Sequence, residues 1–334
     1  MADLKIAVLG GGSWGTTVAA LTARNVPVTL WARNADTVDE INREHRNETY
    51  LPGAELPKTL KASHDIGEAV AGADVVVMGI PSQNFRSVLM EVRKHLRAWV
   101  PIVSLTKGLE LDTRMRMTEI VKEILPGHPV GVLTGPNLAR EIMAGQAAAS
   151  VIAMDDDIIV RSLQGVFNSG LFRVYTNTDV IGCELGGVLK NIIAIAVGMG
   201  DGQGAGDNTR AALITRGLSE VTRLGVAMGG LETTFAGLAG MGDMIATCTS
   251  SQSRNRHVGM ELGRGKSMET IASEMFMVAE GAKSAPAVMA LAEEHGVDMP
   301  IARDVYRVVS GEMTARGVYR GLLRTTAGAE SEPG

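Results

Sequence analysis

Lys190 stands inside CELGGVLKNIIAIAVG, a stretch otherwise built of apolar and small residues. Burial disfavours an ammonium relative to the neutral amine, so a lysine held there has its pKa lowered toward neutrality and can both give and take a proton. The alternative is a side chain that snorkels its charge to the surface. Asn191, next in line, can orient an oxygen of a substrate, whereas Glu184 does not share the lysine's helical face closely and suits a helix start. Further on, GLAGMGDMIATCTSSQSRN sets Asp243 in a glycine-rich turn and then offers Ser253, Arg254 and Asn255. A serine opening a helix, followed by arginine and asparagine, supplies backbone amides and a fork of donors, which together can grip a phosphate monoester. A solvated basic patch is the bland alternative.

The amino-terminal stretch KIAVLGGGSWGTT spaces Gly10, Gly12 and Gly15 as Gly-x-Gly-x-x-Gly between an apolar run and a helix-like segment. In that context the first glycine permits a tight turn, the second lets backbone approach a pyrophosphate and the third lets helix pack on strand, so a dinucleotide is expected there. The second strand ends in LWARN, with Arg33 where an acid would accept from an adenosine ribose hydroxyl. An arginine suits a 2'-phosphate and favours NADPH over NADH, unless it only stacks on adenine. SLTKGLE puts Lys107 just past a strand, and LTGPNLARE puts Gly135, Pro136 and Asn137 past the next, at the carboxyl edge where open α/β sheets bind ligands. Glu280, in MVAEGAK, falls between helices and could reach a nicotinamide carboxamide or ribose or remain a surface acid.

Several chemistries lack their residues. The six histidines occur singly, with no His-Glu-x-x-His, so no metal site is expected. No Gly-x-Ser-x-Gly elbow supports a hydrolase. Cys183 and Cys248 make no Cys-x-x-Cys pair and read as buried thiols of a cytoplasmic protein. A formal net charge of −5 argues against a nucleic-acid or membrane-surface binder and requires any positive charge for an anionic ligand to be local. MADLK runs straight into a strand, which leaves no room for an export signal, and NIIAIAVGMG is too short to span a bilayer.

These residues need elements to place them. Val- and Ile-rich runs recur at IAVLG, PVTLWA, ADVVVMGI, PIVSLT, PVGVLTG and ASVIAM, with helical-length segments between them. That rhythm predicts an α/β domain with a doubly wound, mostly parallel sheet and crossover helices over residues 1–178. Beyond it LGGVLKNIIAIAVG, AALITRGLSEVTRLGVAM and AKSAPAVMALAEEHG keep a helical period and predict an all-α domain over 179–322, joined through the turn-like YTNTDVIGCE. The polar ending 323–334 predicts a flexible tail.

From Ile6 to Gly317 the chain resembles the bacterial NAD(P)-dependent sn-glycerol-3-phosphate dehydrogenases, through GGGSWGTT, YLPG, IPSQ, TKGLE, TGPNLARE, GCELGGVLKNIIAIAVG, GLAGMGDMIATCTSSQSRN and VAEG in that order. The resemblance implies an N-terminal Rossmann domain and a helical C-terminal domain like that of 6-phosphogluconate dehydrogenase. It implies cofactor contacts at Ser13, Trp14, Arg33, Tyr50, Ala139, Val278 and Glu280, with Lys107 and Gly135 where cofactor and substrate meet. Lys190 takes the catalytic position, and Asp243, Ser253, Arg254 and Asn255 match substrate-binding positions, Arg254 also reaching the cofactor. Asn137 replaces a more usual serine or threonine. The expected reaction is reduction of dihydroxyacetone phosphate, with Lys190 as proton donor, Lys107 polarising the same oxygen and Asp243 holding Lys190; the expected assembly is a homodimer, and the product feeds glycerophospholipid synthesis. A β-hydroxyacid dehydrogenase would share the two-domain plan and the lysine but bind a carboxylate, which the Ser253-Arg254-Asn255 cluster disfavours. A regulator that only senses nicotinamide would have no use for a buried lysine.

Overall fold

A computed structural model describes residues 4–275 and 279–322. The expected tail, 323–334, and the expected cofactor contact Val278 lie outside the described residues. The chain divides into two compact units, one of residues 1–106 and 115–180, the other of 107–114 and 181–334.

Eight strands form the sheet of the first unit: β1 Ile6–Leu9, β2 Val28–Trp31, β3 Lys61–Ser63, β4 Val75–Met78, β5 Ile102–Ser104, β6 Val130–Thr134, β7 Ala148–Met154 and β8 Phe172–Asn177. Their order is β3-β2-β1-β4-β5-β6-β7-β8. The first six are mutually parallel, and the order reverses direction between β1 and β4, the switch point at which a doubly wound sheet opens a crevice for a ligand. Strands β1 and β4 are buried throughout, as expected when helices cover both faces.

The sheet is mostly parallel, as expected, with its exception at β7, which runs antiparallel to β6, with β8 parallel to β7. The reason is the connection between β6 and β7. Its only helix, Ala139–Met143, has five residues and rises roughly 7 Å, too little to run back along a strand of roughly 16 Å. The chain therefore returns beside β6 from the end at which it left. The last three residues of strand β8, Tyr175 to Asn177, fall in sequence expected to form the turn-like junction, and along the strand inward Phe172 and Val174 alternate with exposed Arg173 and Tyr175.

The second unit is helical in its described residues, apart from the strand-free 107–114 segment, and is built around the helix Val180–Gly202. At 23 residues this helix is longer than the apolar segment that marked it in the sequence, and its length and composition would let it cross a bilayer. Its most apolar window is 94% buried within the protein, so it is the core helix of the unit. Glycines bring the helix Arg254–Gly263 against it: a Cβ on Gly198 would lie 2.1 Å from the Arg256 carbonyl oxygen, and one on Gly259 would lie 2.1 Å from that of Ile195. Gly202 and Gly263 repeat the contact one turn along, against Met260 and Met199. The two backbones touch, and the serine–arginine–asparagine cluster that opens the second helix is thereby fixed relative to the first.

Candidate active site

In the first unit the glycine loop leaves β1 at the switch point. Gly10 has φ +119°, and a Cβ there would lie 2.4 Å from the Gly79 carbonyl oxygen; one on Gly15 would lie 2.0 Å from that of Gly10. Both positions exclude side chains. A Cβ on Gly12, by contrast, would meet nothing within 4 Å among the described residues, which leaves room at the middle of the loop for an approaching group. Gly12 caps the helix Ser13–Thr22 without a side chain, and that helix has no acid in its first turn. Its first amides and the positive end of its dipole therefore face the loop, which fits a pyrophosphate. Arg33 is exposed just beyond β2, ahead of the helix Ala35–Glu44 that Asn34 caps. The Ser13 hydroxyl donates to the Tyr50 carbonyl (2.8 Å), and the Trp14 ring meets Phe172 edge-on.

In the second unit Lys190 is 5% exposed, which rules out a snorkelling side chain. Its Nζ lies 3.0 Å from Asp243 Oδ1 and 2.5 Å from Thr247 Oγ1, while Lys107 Nζ lies 2.5 Å from Asp243 Oδ2. One carboxylate thus sits between two ammoniums and leaves one positive charge over, the local excess an anionic substrate requires of an acidic chain. Burial pulls the Lys190 pKa down, Asp243 pulls it up, Lys107 pushes it down, and it settles at about 8. Burial pushes the neighbouring Cys248 thiol up to about 12, so it stays protonated.

Asp243 is carried by a helix, Asp243–Thr249, that follows a π-helical turn, Leu238–Gly242. Glycine makes the turn possible: a Cβ on Gly240 would lie 2.1 Å from the Phe235 carbonyl oxygen. The sequence pointed to a turn, and the wider helical winding delivers Asp243 and, one turn on, Thr247 to the same ammonium. Lys107 is set by a relay of amides. The Gly281 N–H donates to Asn255 Oδ1 (3.0 Å), Asn255 Nδ2 to Asn191 Oδ1 (2.9 Å), and Asn191 Nδ2 to the Lys107 carbonyl (3.2 Å). Ser253 caps Arg254–Gly263 by accepting from the Arg256 N–H. Ser253 and Asn255 are buried, so the cluster is not a solvated patch. Arg254 has an exposed surface, yet surrounding protein desolvates its guanidinium enough to lower its pKa against the pull of Glu280.

The family described as NAD-dependent glycerol-3-phosphate dehydrogenase matches at residues 5–159 with its N-terminal part and at 179–320 with its C-terminal part. The chain belongs to that family. A glycerol-3-phosphate dehydrogenase [NAD(P)+] of Sphingopyxis alaskensis is 69% identical over 99% of both chains, and one of Mycobacterium tuberculosis is 55% identical over 98% of this chain and 96% of its own. The crystal structure of glycerol-3-phosphate dehydrogenase from Coxiella burnetii superposes with a TM-score of 0.91 at 38% identity, covering 96% of this chain and 99% of its own. The Rossmann-plus-helical architecture is that of this family, and the chain is an NAD(P)-dependent oxidoreductase.

Within this dehydrogenase the residues marked by sequence fall into two groups. Lys107, Lys190, Asn191, Asp243 and Asn255 are brought together in the second unit, linked by the contacts above. The oxygen and one N–H of Asn191 are engaged in the relay. In the first unit Gly135, with φ +136°, ends β6, and Ala139 opens the next short helix. The Asn137 amide is tied to the sheet, donating to the Ala149 carbonyl and accepting from Ser150 Oγ. Glu280 opens the helix Glu280–Glu294. Glu184 lies past the first turn of its helix and is buried, so it is a core acid and does not face the dipole as expected. Thr247 and Asn47 went unmarked in the sequence. A single threonine after Asp243 has only its i+4 spacing to recommend it, and Asn47 has only its place three residues before YLPG.

Proposed function

We propose that Lys190 is the proton donor in the reduction of dihydroxyacetone phosphate to sn-glycerol 3-phosphate, the reversible reaction that supplies glycerophospholipid synthesis. The observation that carries this is the shared carboxylate, with Lys190 and Lys107 on the two oxygens of Asp243. Bound reduced nicotinamide supplies the hydride to C2 of the ketone. As negative charge develops on the ketone oxygen, Lys190 gives it a proton and Lys107 stabilises it electrostatically. Asp243 and Thr247 orient the Lys190 ammonium, and the asparagine relay sets the Lys107 backbone. The substrate phosphate is held by Arg254 and Asn255 at a helix start that Ser253 caps, an arrangement with the donors and charge that a phosphate monoester needs. Gly135 and Asn137 belong to the substrate side of this reading, and Gly10, Gly12, Ser13, Trp14, Gly15, Arg33, Tyr50, Ala139, Arg254 and Glu280 to the cofactor side. Arg33 favours NADPH over NADH. The enzyme works in the cytoplasm as a homodimer, a reading supported by its buried thiols and by apolar residues on the helical unit such as Leu231 and Ile245, which are 57% and 45% exposed.

Oxidation of NADPH and of NADH, followed by absorbance with dihydroxyacetone phosphate and with unphosphorylated dihydroxyacetone, tests the substrate and the cofactor preference together. Lys190→Ala is expected to lower kcat by about 10²- to 10⁴-fold while leaving cofactor affinity intact. A variant that kept most of its turnover would remove Lys190 from the proton-transfer role.

A further inference from the structure

Asn47 is fully buried beside the glycine loop, in the segment between the helix Ala35–Glu44 and β3. Its Nδ2 donates two hydrogen bonds of 2.9 Å, one to the Gly11 carbonyl and one to Thr16 Oγ1 in the first turns of the helix Ser13–Thr22. The Gly11 carbonyl fixes the orientation of the amide, because the reverse orientation would set oxygen against oxygen. In this orientation Asn47 Oδ1 is buried without a partner among the described residues. An unpaired buried acceptor costs stability, so the side chain is placed for its two donors at the expense of its oxygen.

The surrounding segment is built to hold that amide still. The Leu51 N–H donates to the Asn47 carbonyl (2.8 Å), the Leu56 N–H closes the segment on the His45 carbonyl (2.8 Å), and Leu51 and Leu56 are buried. A second tie runs from the Ser13 hydroxyl to the Tyr50 carbonyl. Three consecutive glycines, Gly10 to Gly12, would otherwise sample many backbone conformations, and an entering ligand would have to order them at the expense of its affinity.

We propose that Asn47 is a positioning residue for the dinucleotide: its amide pins Gly11 and Thr16 so that the glycine loop is held in its binding shape before the cofactor arrives. This rests on the reading of the loop as the nicotinamide dinucleotide site. The 45–56 segment is then a clasp for the phosphate loop, acting on cofactor affinity and leaving the chemical step alone.

Asn47→Asp keeps the shape and removes both donors, and Thr16→Val keeps the shape and removes one acceptor. Titration of NADPH and NADH fluorescence should show a dissociation constant raised about tenfold in Asn47→Asp and by a smaller factor in Thr16→Val. In both, KM for the cofactor should rise while kcat at saturating cofactor holds, and amide hydrogen exchange across residues 11–16 of the cofactor-free protein should quicken. Wild-type affinity in both variants would overturn the proposal. So would an Asn47→Asp protein that loses thermal stability while Thr16→Val binds and exchanges as wild type, since that is a purely structural role. Failure of the wild-type protein to bind either dinucleotide would instead overturn the reading of the loop itself.

Discussion

Asp243 pairs with both Lys190 and Lys107, and in the proposed mechanism this division sets the working pH. Burial alone would strip Lys190 of its proton well below the ordinary lysine range, and it is the adjacent carboxylate that returns the pKa to about 8. Reduction of a ketone needs the ammonium form. kcat/KM for reduction should therefore be level below pH 8 and decline above it, approaching about tenfold per pH unit. Asp243→Asn removes the attraction that raises the pKa and leaves burial and Lys107 in place, so the alkaline limb should move to lower pH. A pH profile of the variant with its limb unmoved would show that another group controls it. The polar residues of the two sites differ in how visible they are before folding. Lys190 announces itself, because a charge within an apolar helical run demands a reason, and the same holds for an acid in a glycine-rich turn. Thr247 and Asn47 do not, since a polar residue that works through a tertiary hydrogen bond carries no local signature.

Helices meet at the site without side chains between them. Gly198 and Gly202 on one helix face Gly259 and Gly263 on the other, each with carbonyl oxygens about where a Cβ would be. Because Arg254 and Asn255 open the second helix, any separation of the pair displaces these proposed phosphate donors from Lys190 and Asn191. Gly259→Ala must push the helices apart, and overpacking of this kind costs about 1–3 kcal/mol. The expected outcome is a melting temperature lowered by several degrees together with a raised KM for dihydroxyacetone phosphate, seen by calorimetry and steady-state kinetics. A lowered melting temperature with KM unchanged would mean that the pair is a core contact without influence on the site. The high glycine content is visible in the sequence, but which glycines serve turns and which serve close helix packing depends on their partners. The strands show the same limit. Buried runs such as VVVM declare themselves, whereas KAS at the β3 edge has no apolar run, and FRVYTN hides its alternation among turn-forming residues. The direction of β7 depends on the length of the helix before it, which is a matter of geometry more than of residue type.

Stability of the whole molecule carries its own pH dependence, set far along the chain from the lysine pair. Glu220 is 2% exposed and accepts from the Ile301 and Ala302 N–H groups at the start of the helix Pro300–Val309. Burial is the largest influence on it and Asp298 adds to that, outweighing the two amides and Arg223, so its pKa rises from 4.5 to about 7. The folded protein therefore holds this proton over a range in which the unfolded chain has released it. Below about pH 4.5 both states are protonated and the contribution is fully present; as pH rises through 7 it is lost, by an amount on the order of 3 kcal/mol. Carboxylates held low in the folded state, such as Asp74 through the Lys5 amide and Arg97, act in the opposite sense, so the net curve cannot isolate Glu220. The difference between wild type and Glu220→Gln can, because glutamine keeps an acceptor for the helix start and never ionises. Urea unfolding from pH 5 to 8 should show the variant gaining on wild type as pH rises, with most of the gain between pH 5 and 7. A difference that stays constant across that range would mean that the helix start keeps Glu220 ionised throughout.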